Sequence, residues 1–134
     1  LDPLLKRMIA RRRGHVAVTA SVAGYRGLPR AAAYSATKAA LIAMAEALAF
    51  DLIDLNVRIS VINPGFVETP LTARNDFPMP FLIGTDEAAK TILRGLATDR
   101  FEIIFPWKMA LAIRLLRALP RPLLFMITKR MVRQ

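Results

Sequence analysis

With 134 residues, 20 basic against 10 acidic side chains (net charge +10), one histidine and no cysteine, the chain makes at most one domain. A disulfide framework, a thiolate metal site and an all-imidazole metal site are excluded. No secretory pattern is visible and no apolar run reaches the roughly 18–20 residues of a membrane span, so a reducing cytoplasmic setting is expected and no metal. The positive charge raises nucleic acid or an anionic membrane as partners. Aromatic residues are not interleaved with basic ones as a single-strand binding surface requires, which makes nucleic acid the weakest reading.

In chain order, Leu1, Leu4, Leu5, Met8 and Ile9 have helical spacing, and a helix over 1–12 is expected to end in the Arg11–Gly14 turn. Arg11, Arg12 and Arg13 read as a solvated face at that helix end, where cations complement the dipole. Residues 15–20 alternate and are β-branched, and their lack of charge predicts a strand buried on both faces. His15, at its mouth, is expected to be solvated. Gly24, Gly27 and Pro29 keep 21–30 irregular. The alanine-rich stretch 31–55 predicts a long helix, apolar around most of its girth and therefore in want of a second partner beyond the sheet. Glu46 and Asp51 on it read as surface or interface charges.

Asn56 is the expected helix stop, and Val57–Ile62 the next strand, ended by Pro64, which lacks a ladder donor. Gly65 is expected to let backbone approach a ligand. Strand, helix and strand make a βαβ crossover with parallel strands, so Ser21 and 64–69 lie at carboxyl ends of strands, the ligand edge of open α/β sheets. Residues 70–84 predict a lid-like loop, with Leu71, Phe77, Met79 and Phe81 as apolar contacts. Thr85 or Asp86 is expected to cap a helix over 86–98, and 101–105 to form a last strand.

Tyr34 and Lys38 sit four apart on the long helix, on one face. An ammonium near a phenol favours the phenolate, and Ser21, thirteen residues before Tyr34, can be folded back toward it by the intervening loop. The three supply a proton donor, a cation that tunes it and a hydroxyl for a substrate oxygen. Taken singly, each has a plainer reading: Tyr34 an amphipathic residue at a helix start, Lys38 a solvated charge, Ser21 a turn residue, Thr69 a cap.

Ser21, the run Tyr34-Ser35-Ala36-Thr37-Lys38 and the run Asn63-Pro64-Gly65-Phe66-Val67-Glu68-Thr69 together resemble the short-chain dehydrogenase/reductase family. Its hallmarks are a serine, a Tyr-x-x-x-Lys pair and a Pro-Gly-x-x-x-Thr loop in that order. The resemblance covers residues 1 to about 105. It implies an α/β fold, the carboxyl-terminal part of a doubly wound, Rossmann-like parallel sheet, and an NAD(P)-dependent enzyme that interconverts a carbonyl and a secondary alcohol. It implies Ser21, Tyr34 and Lys38 as catalytic residues, and Tyr34, Lys38, Pro64, Gly65, Val67 and Thr69 as contacts to NAD or NADP. Ser21, Tyr25, Phe66 and Leu71 are the expected substrate contacts, and the apolar lid suggests an apolar substrate. Ala20 and Thr37 depart mildly from the pattern. No glycine-rich phosphate loop is present, so 1–105 reads as the catalytic half of a longer protein, of little activity by itself. The choice between NAD and NADP would rest upstream.

The stretch 106–134 reads as a basic tail of two amphipathic pieces divided at Pro120-Arg121-Pro122. It suits a helical hairpin packed on the domain, a partner helix or peripheral contact with a membrane. The resemblance also implies a homo-oligomer through the 31–55 helix. The alternative to an enzyme is a non-catalytic module that docks on a membrane surface or a partner through its tail.

Overall fold

The chain is described by a computed structural model covering the backbone of residues 1–132 and side chains through residue 129. The side chains that end the predicted basic tail, 130–134, lie outside the described residues. In order, the elements are α1 (Asp2–Ala10), β1 (Gly14–Thr19), a 3-10 turn (Val22–Gly24), α2 (Ala32–Leu52) and a 3-10 turn (Ile53–Leu55). Then follow β2 (Val57–Pro64), a 3-10 turn (Thr72–Arg74), α3 (Thr85–Leu96), β3 (Glu102–Phe105), α4 (Trp107–Ala118) and α5 (Arg121–Val132).

The fold class is α/β, as the alternation of patterns predicts. Three parallel strands lie in the order β1-β2-β3, with Val16 opposite Ile59 and Ile62 opposite Ile103. The long α2 between β1 and β2 is the crossover that parallel pairing demands. Its buried stripe, Ile42, Ala45 and Leu52, packs with Met8 of α1 and with Val16, Ile59 and Val61 of the sheet. On the other side of the sheet's far edge, Ala88 of α3 packs with Ile62, Ile103 and Phe105.

Asn56 ends the helical stretch as expected, and the reason is visible. It takes the left-handed conformation (φ 55°) that asparagine tolerates better than most residues, while its side-chain amide donates to the Arg12 carbonyl at 2.9 Å.

Three expectations need correction. β1 is not buried on both faces: Ala17 and Thr19 are exposed, because among the described residues it is an edge strand with a neighbour only in β2. β2, by contrast, ends at Pro64 as expected, with Pro64 opposite Phe105 and the Gly65 amide donating to the Phe105 carbonyl at 2.7 Å. α3 starts from Gly84 with no side-chain cap, neither Thr85 nor Asp86 serving as one. Its amino end is instead stabilised by acidic Asp86 and Glu87 in the first turn. His15 is half-buried, with its Nε2 at 2.9 Å from the Ser60 hydroxyl. Burial, and then the Arg58 charge, lower its pKa from the ordinary 6.5, with Asp99 pulling the other way.

The tail lies partly on the domain. Met109 and Ile113 of α4 are buried with Val22, against Tyr25, Phe66 and Ile104, and Arg26 donates to the Leu119 carbonyl at 2.8 Å, holding the α4–α5 corner. On the outside Leu111, Leu115 and Phe125 stay exposed. No helix among the described residues is long and apolar enough to cross a membrane.

Candidate active site

The carboxyl end of β1 and the start of α2 meet because α2 is longer than the strands it covers. Tyr34, Lys38, Ile42, Ala45, Ala49 and Leu52 recur at the three- and four-residue spacing of one helix face. Ile42, Ala45 and Leu52 are buried on the sheet. The same stripe emerges past the sheet's rim as Tyr34 and Lys38, so a face that is core further along becomes a wall of a cleft here.

Lys38 joins three pieces. Its Nζ lies 5.6 Å from the centre of the Tyr34 ring, and it donates to the Thr19 carbonyl at 3.3 Å, two residues before Ser21. A cation over an aromatic face is attracted by the ring quadrupole, and the backbone bond fixes its reach. Tyr34 is 51 % exposed, and its hydroxyl takes no hydrogen bond among the described residues.

Ser21 is buried at 7 % exposure. Its Oγ accepts from the Ala23 amide at 3.2 Å, opening the 3-10 turn, and donates to the Pro64 carbonyl at 3.4 Å. It is thus brought against the Pro64–Thr69 run rather than bonded to Tyr34. The turn is pressed against α2: a Cβ on Gly24 would come within 2.8 Å of the Lys38 carbonyl carbon and 2.9 Å of its oxygen. Only glycine permits that approach, and nothing in the local sequence pattern announced it.

At Gly65 the place of the absent Cβ is lined by this chain's own Met109, Pro106 and Phe105 at 3.1–3.3 Å, a close approach to the start of α4. Val67 forms an isolated parallel bridge with Ile83. The bridge uses the Phe66 carbonyl and the Glu68 amide, and the Val67 carbonyl accepts from the Thr72 hydroxyl at 2.7 Å. The Val67 N–H is left open among the described residues. Thr69 exchanges bonds with Thr72: the Thr72 amide donates to the Thr69 Oγ1 at 3.2 Å and the Thr69 amide to the Thr72 Oγ1 at 2.8 Å. Thr72, which sequence reasoning passed over, is the hub of that turn.

The expected substrate contacts fall in different settings. Phe66 stacks on Phe77 at 6.1 Å between ring centres, tilted by 60°, while Leu71 is 77 % exposed. The Tyr25 hydroxyl accepts from the side-chain amide of Asn63, a residue of β2 with no exposed surface, and the Arg117 guanidinium lies 5.5 Å from its ring. Tyr25 is therefore tied to the sheet and to α4.

This constellation has relatives. A family profile described as short chain dehydrogenase matches residues 2–77. The chain belongs to the short-chain dehydrogenase/reductase family. An uncharacterized oxidoreductase of Myxococcus xanthus is 45 % identical over 123 residues, which are 92 % of this chain and 49 % of that protein. An uncharacterized short-chain type dehydrogenase/reductase of Sinorhizobium fredii is 38 % identical, over 87 % of this chain and 42 % of that one. Among solved structures, a short chain dehydrogenase from Burkholderia cenocepacia in complex with NADP superposes with a TM-score of 0.75 at 26 % identity, over 90 % of this chain and 49 % of that one. A short-chain dehydrogenase from Sphingobium yanoikuyae in complex with NADPH shares the fold at a TM-score of 0.68 and 20 % identity, over 87 % of this chain and 50 % of that one. The chain spans about half the length of the curated short-chain dehydrogenases it matches.

Proposed function

We propose that the whole protein is an NAD(P)-dependent oxidoreductase that interconverts a carbonyl and a secondary alcohol on an apolar substrate. The observation that carries this reading is the Lys38 ammonium, held between the Tyr34 ring and the Thr19 carbonyl at the rim of the sheet. The other reading, a membrane-docking module without catalysis, has no comparable observation behind it.

The residues present suit the nicotinamide end of the cofactor. Lys38 has donors beyond the one given to Thr19, and the open Val67 N–H is a backbone donor on the same rim. Gly65 and Thr69 are engaged within the chain itself and contribute shape rather than bonds. When bound, the nicotinamide supplies or accepts the hydride. The Tyr34 phenol then gives its proton to the developing alkoxide in reduction and takes it back in oxidation. Lys38 stabilises negative charge near the phenol oxygen as it develops, and the Ser21 hydroxyl exchanges its long bond to Pro64 for the substrate oxygen. Phe66, Phe77 and the exposed Leu71 offer the apolar surface. A second copy would cover the open face of α2, where Met44 and Phe50 are exposed; light scattering on Phe50→Glu reads this as loss of the oligomer.

The test is reduction of a panel of apolar ketones by the full-length protein with NADH or NADPH, alongside Tyr34→Phe. Loss of nearly all turnover with nucleotide binding retained supports the assignment. Turnover equal to the parent protein overturns it.

A further inference from the structure

A cavity of about 490 Å³ lies between the loop that carries Tyr25 and Arg26, helix α2 and helix α5. Its α2 wall is Ala32, Ser35, Ala36 and Ala39, at the spacing of one helix stripe. At 100° per residue that stripe is centred about 130° around the helix from Tyr34 and Lys38. The two sites therefore use different sides of the same helix.

The charged groups that line it, Arg26 and Arg121, are donors only, and the Ser35 hydroxyl can donate. Ser35 is 6 % exposed, and its Oγ has no hydrogen-bond partner among the described residues. The same holds for the buried Nε of Arg26, whose Nη2 is occupied by the Leu119 carbonyl. Arg121 of α5 also lines the space, and among the described residues no carboxylate does. A buried hydroxyl and a buried guanidinium N–H without partners cost free energy that an acceptor would recover, and the acceptor that best suits a guanidinium is an anionic oxygen. The rest of the lining, Leu124, Phe125 and the α2 alanines, is apolar. Two donors match two oxygens, and the volume falls in the range of small-molecule sites.

We propose that this cavity binds an apolar carboxylic acid in its ionised form, the carboxylate accepting from Ser35 Oγ and Arg26 Nε and the hydrocarbon lying against Leu124 and Phe125. Because α5 forms one wall and the Tyr25–Arg26 loop another, the bound acid clamps the tail to the domain. The site is independent of the carbonyl chemistry at Tyr34.

Calorimetric titration of the full-length protein with decanoate, against decanol and decyltrimethylammonium as probes of the same length, tests this. Decanoate is expected to bind at least tenfold more tightly than either. Ser35→Ala should weaken decanoate about tenfold, the loss of one hydrogen bond to a charged group, and leave decanol unchanged. Arg121→Gln should weaken it by a smaller factor, and Tyr34→Phe should have no effect. Ala39→Phe fills the cavity from the α2 side and should abolish binding, an independent check should Ser35→Ala alter the melting temperature. Equal affinity for decanoate and decanol, or a decanoate affinity indifferent to Ser35→Ala and Ala39→Phe, would overturn the proposal. So would loss of binding in Tyr34→Phe, which would put the anion at the catalytic rim.

Discussion

The two ends of the β1–β2 pair carry polar residues in similar density and use them in opposite ways. At the amino end the Arg58 guanidinium bonds Asp99 and the Thr98 carbonyl, His15 bonds Ser60, Ser60 donates to the Arg100 carbonyl, and Arg11 donates to the Arg13 carbonyl. A cavity of about 580 Å³ opens there, larger than the one beside α5, yet its lining side chains are largely engaged with one another. At the carboxyl end, among the described residues, the Tyr34 hydroxyl and the Val67 N–H have no such partner, and Lys38 gives one bond to backbone. Polar groups that satisfy each other hold a fold together; groups held in place with capacity to spare can act on a ligand. Cavity size alone points to the other end from the one proposed to be catalytic.

The sharpest way to break this contrast is Lys38→Met in the full-length protein, which removes both the cation over Tyr34 and the tie to Thr19. We expect turnover to fall at least about a hundredfold, with the fold intact by circular dichroism; a loss below threefold would make the carboxyl end no more functional than the amino end. Gly24→Ala comes next. Its new methyl meets the Lys38 backbone as well as the end of the Ile42 side chain, and the backbone cannot give way as a side chain can, so it should cost about 1–3 kcal/mol in denaturant melts and lower turnover as well, by shifting Ser21 against Lys38.

At the amino end, Ser60→Ala should cost about 1–2 kcal/mol, because Ser60 is 2 % exposed and its loss leaves the Arg100 carbonyl and His15 without their partner. Its turnover should equal that of the parent protein, since the proposed catalytic site lies at the opposite end of the strands.

The smallest expected effect is a pH slope. Burial lowers the His15 pKa in the folded chain below its ordinary 6.5, so above pH 6.5 the ring is neutral in both states and its contribution is complete. Below that, the unfolded chain takes up the proton first, and stability declines until the folded pKa is passed. Melting temperatures of the parent protein minus those of His15→Gln should therefore fall between pH 7.5 and 5. A flat difference would mean that the ring is solvated.

Much of the fold was readable from local pattern. The β-branched runs at 15–20 and 57–62, the alanine-rich helix between them and the Asn56 stop are set by side-chain periodicity and backbone preference, which act over a few residues. What escaped were cross-chain contacts. The Gly24 approach to Lys38 depends on a turn and a helix fourteen residues apart, and the His15–Ser60 bond spans 45 residues. The packing of Gly65 against the start of α4 is another such contact.

By itself the sequence determined which chemical groups the chain owns and on which element each one rides: a phenol and an ammonium one turn apart, a serine at a strand end, a proline-glycine run at the next. Only the tertiary structure decided which of them remain open to a ligand. Thr69, Tyr25 and Ser60 were taken up by partners distant in sequence or by a turn of their own, and Tyr34 was left open because α2 outruns the sheet. Propensity is a property of neighbours in the chain, whereas the satisfaction of a polar group depends on whatever packing brings within 3 Å or so of it.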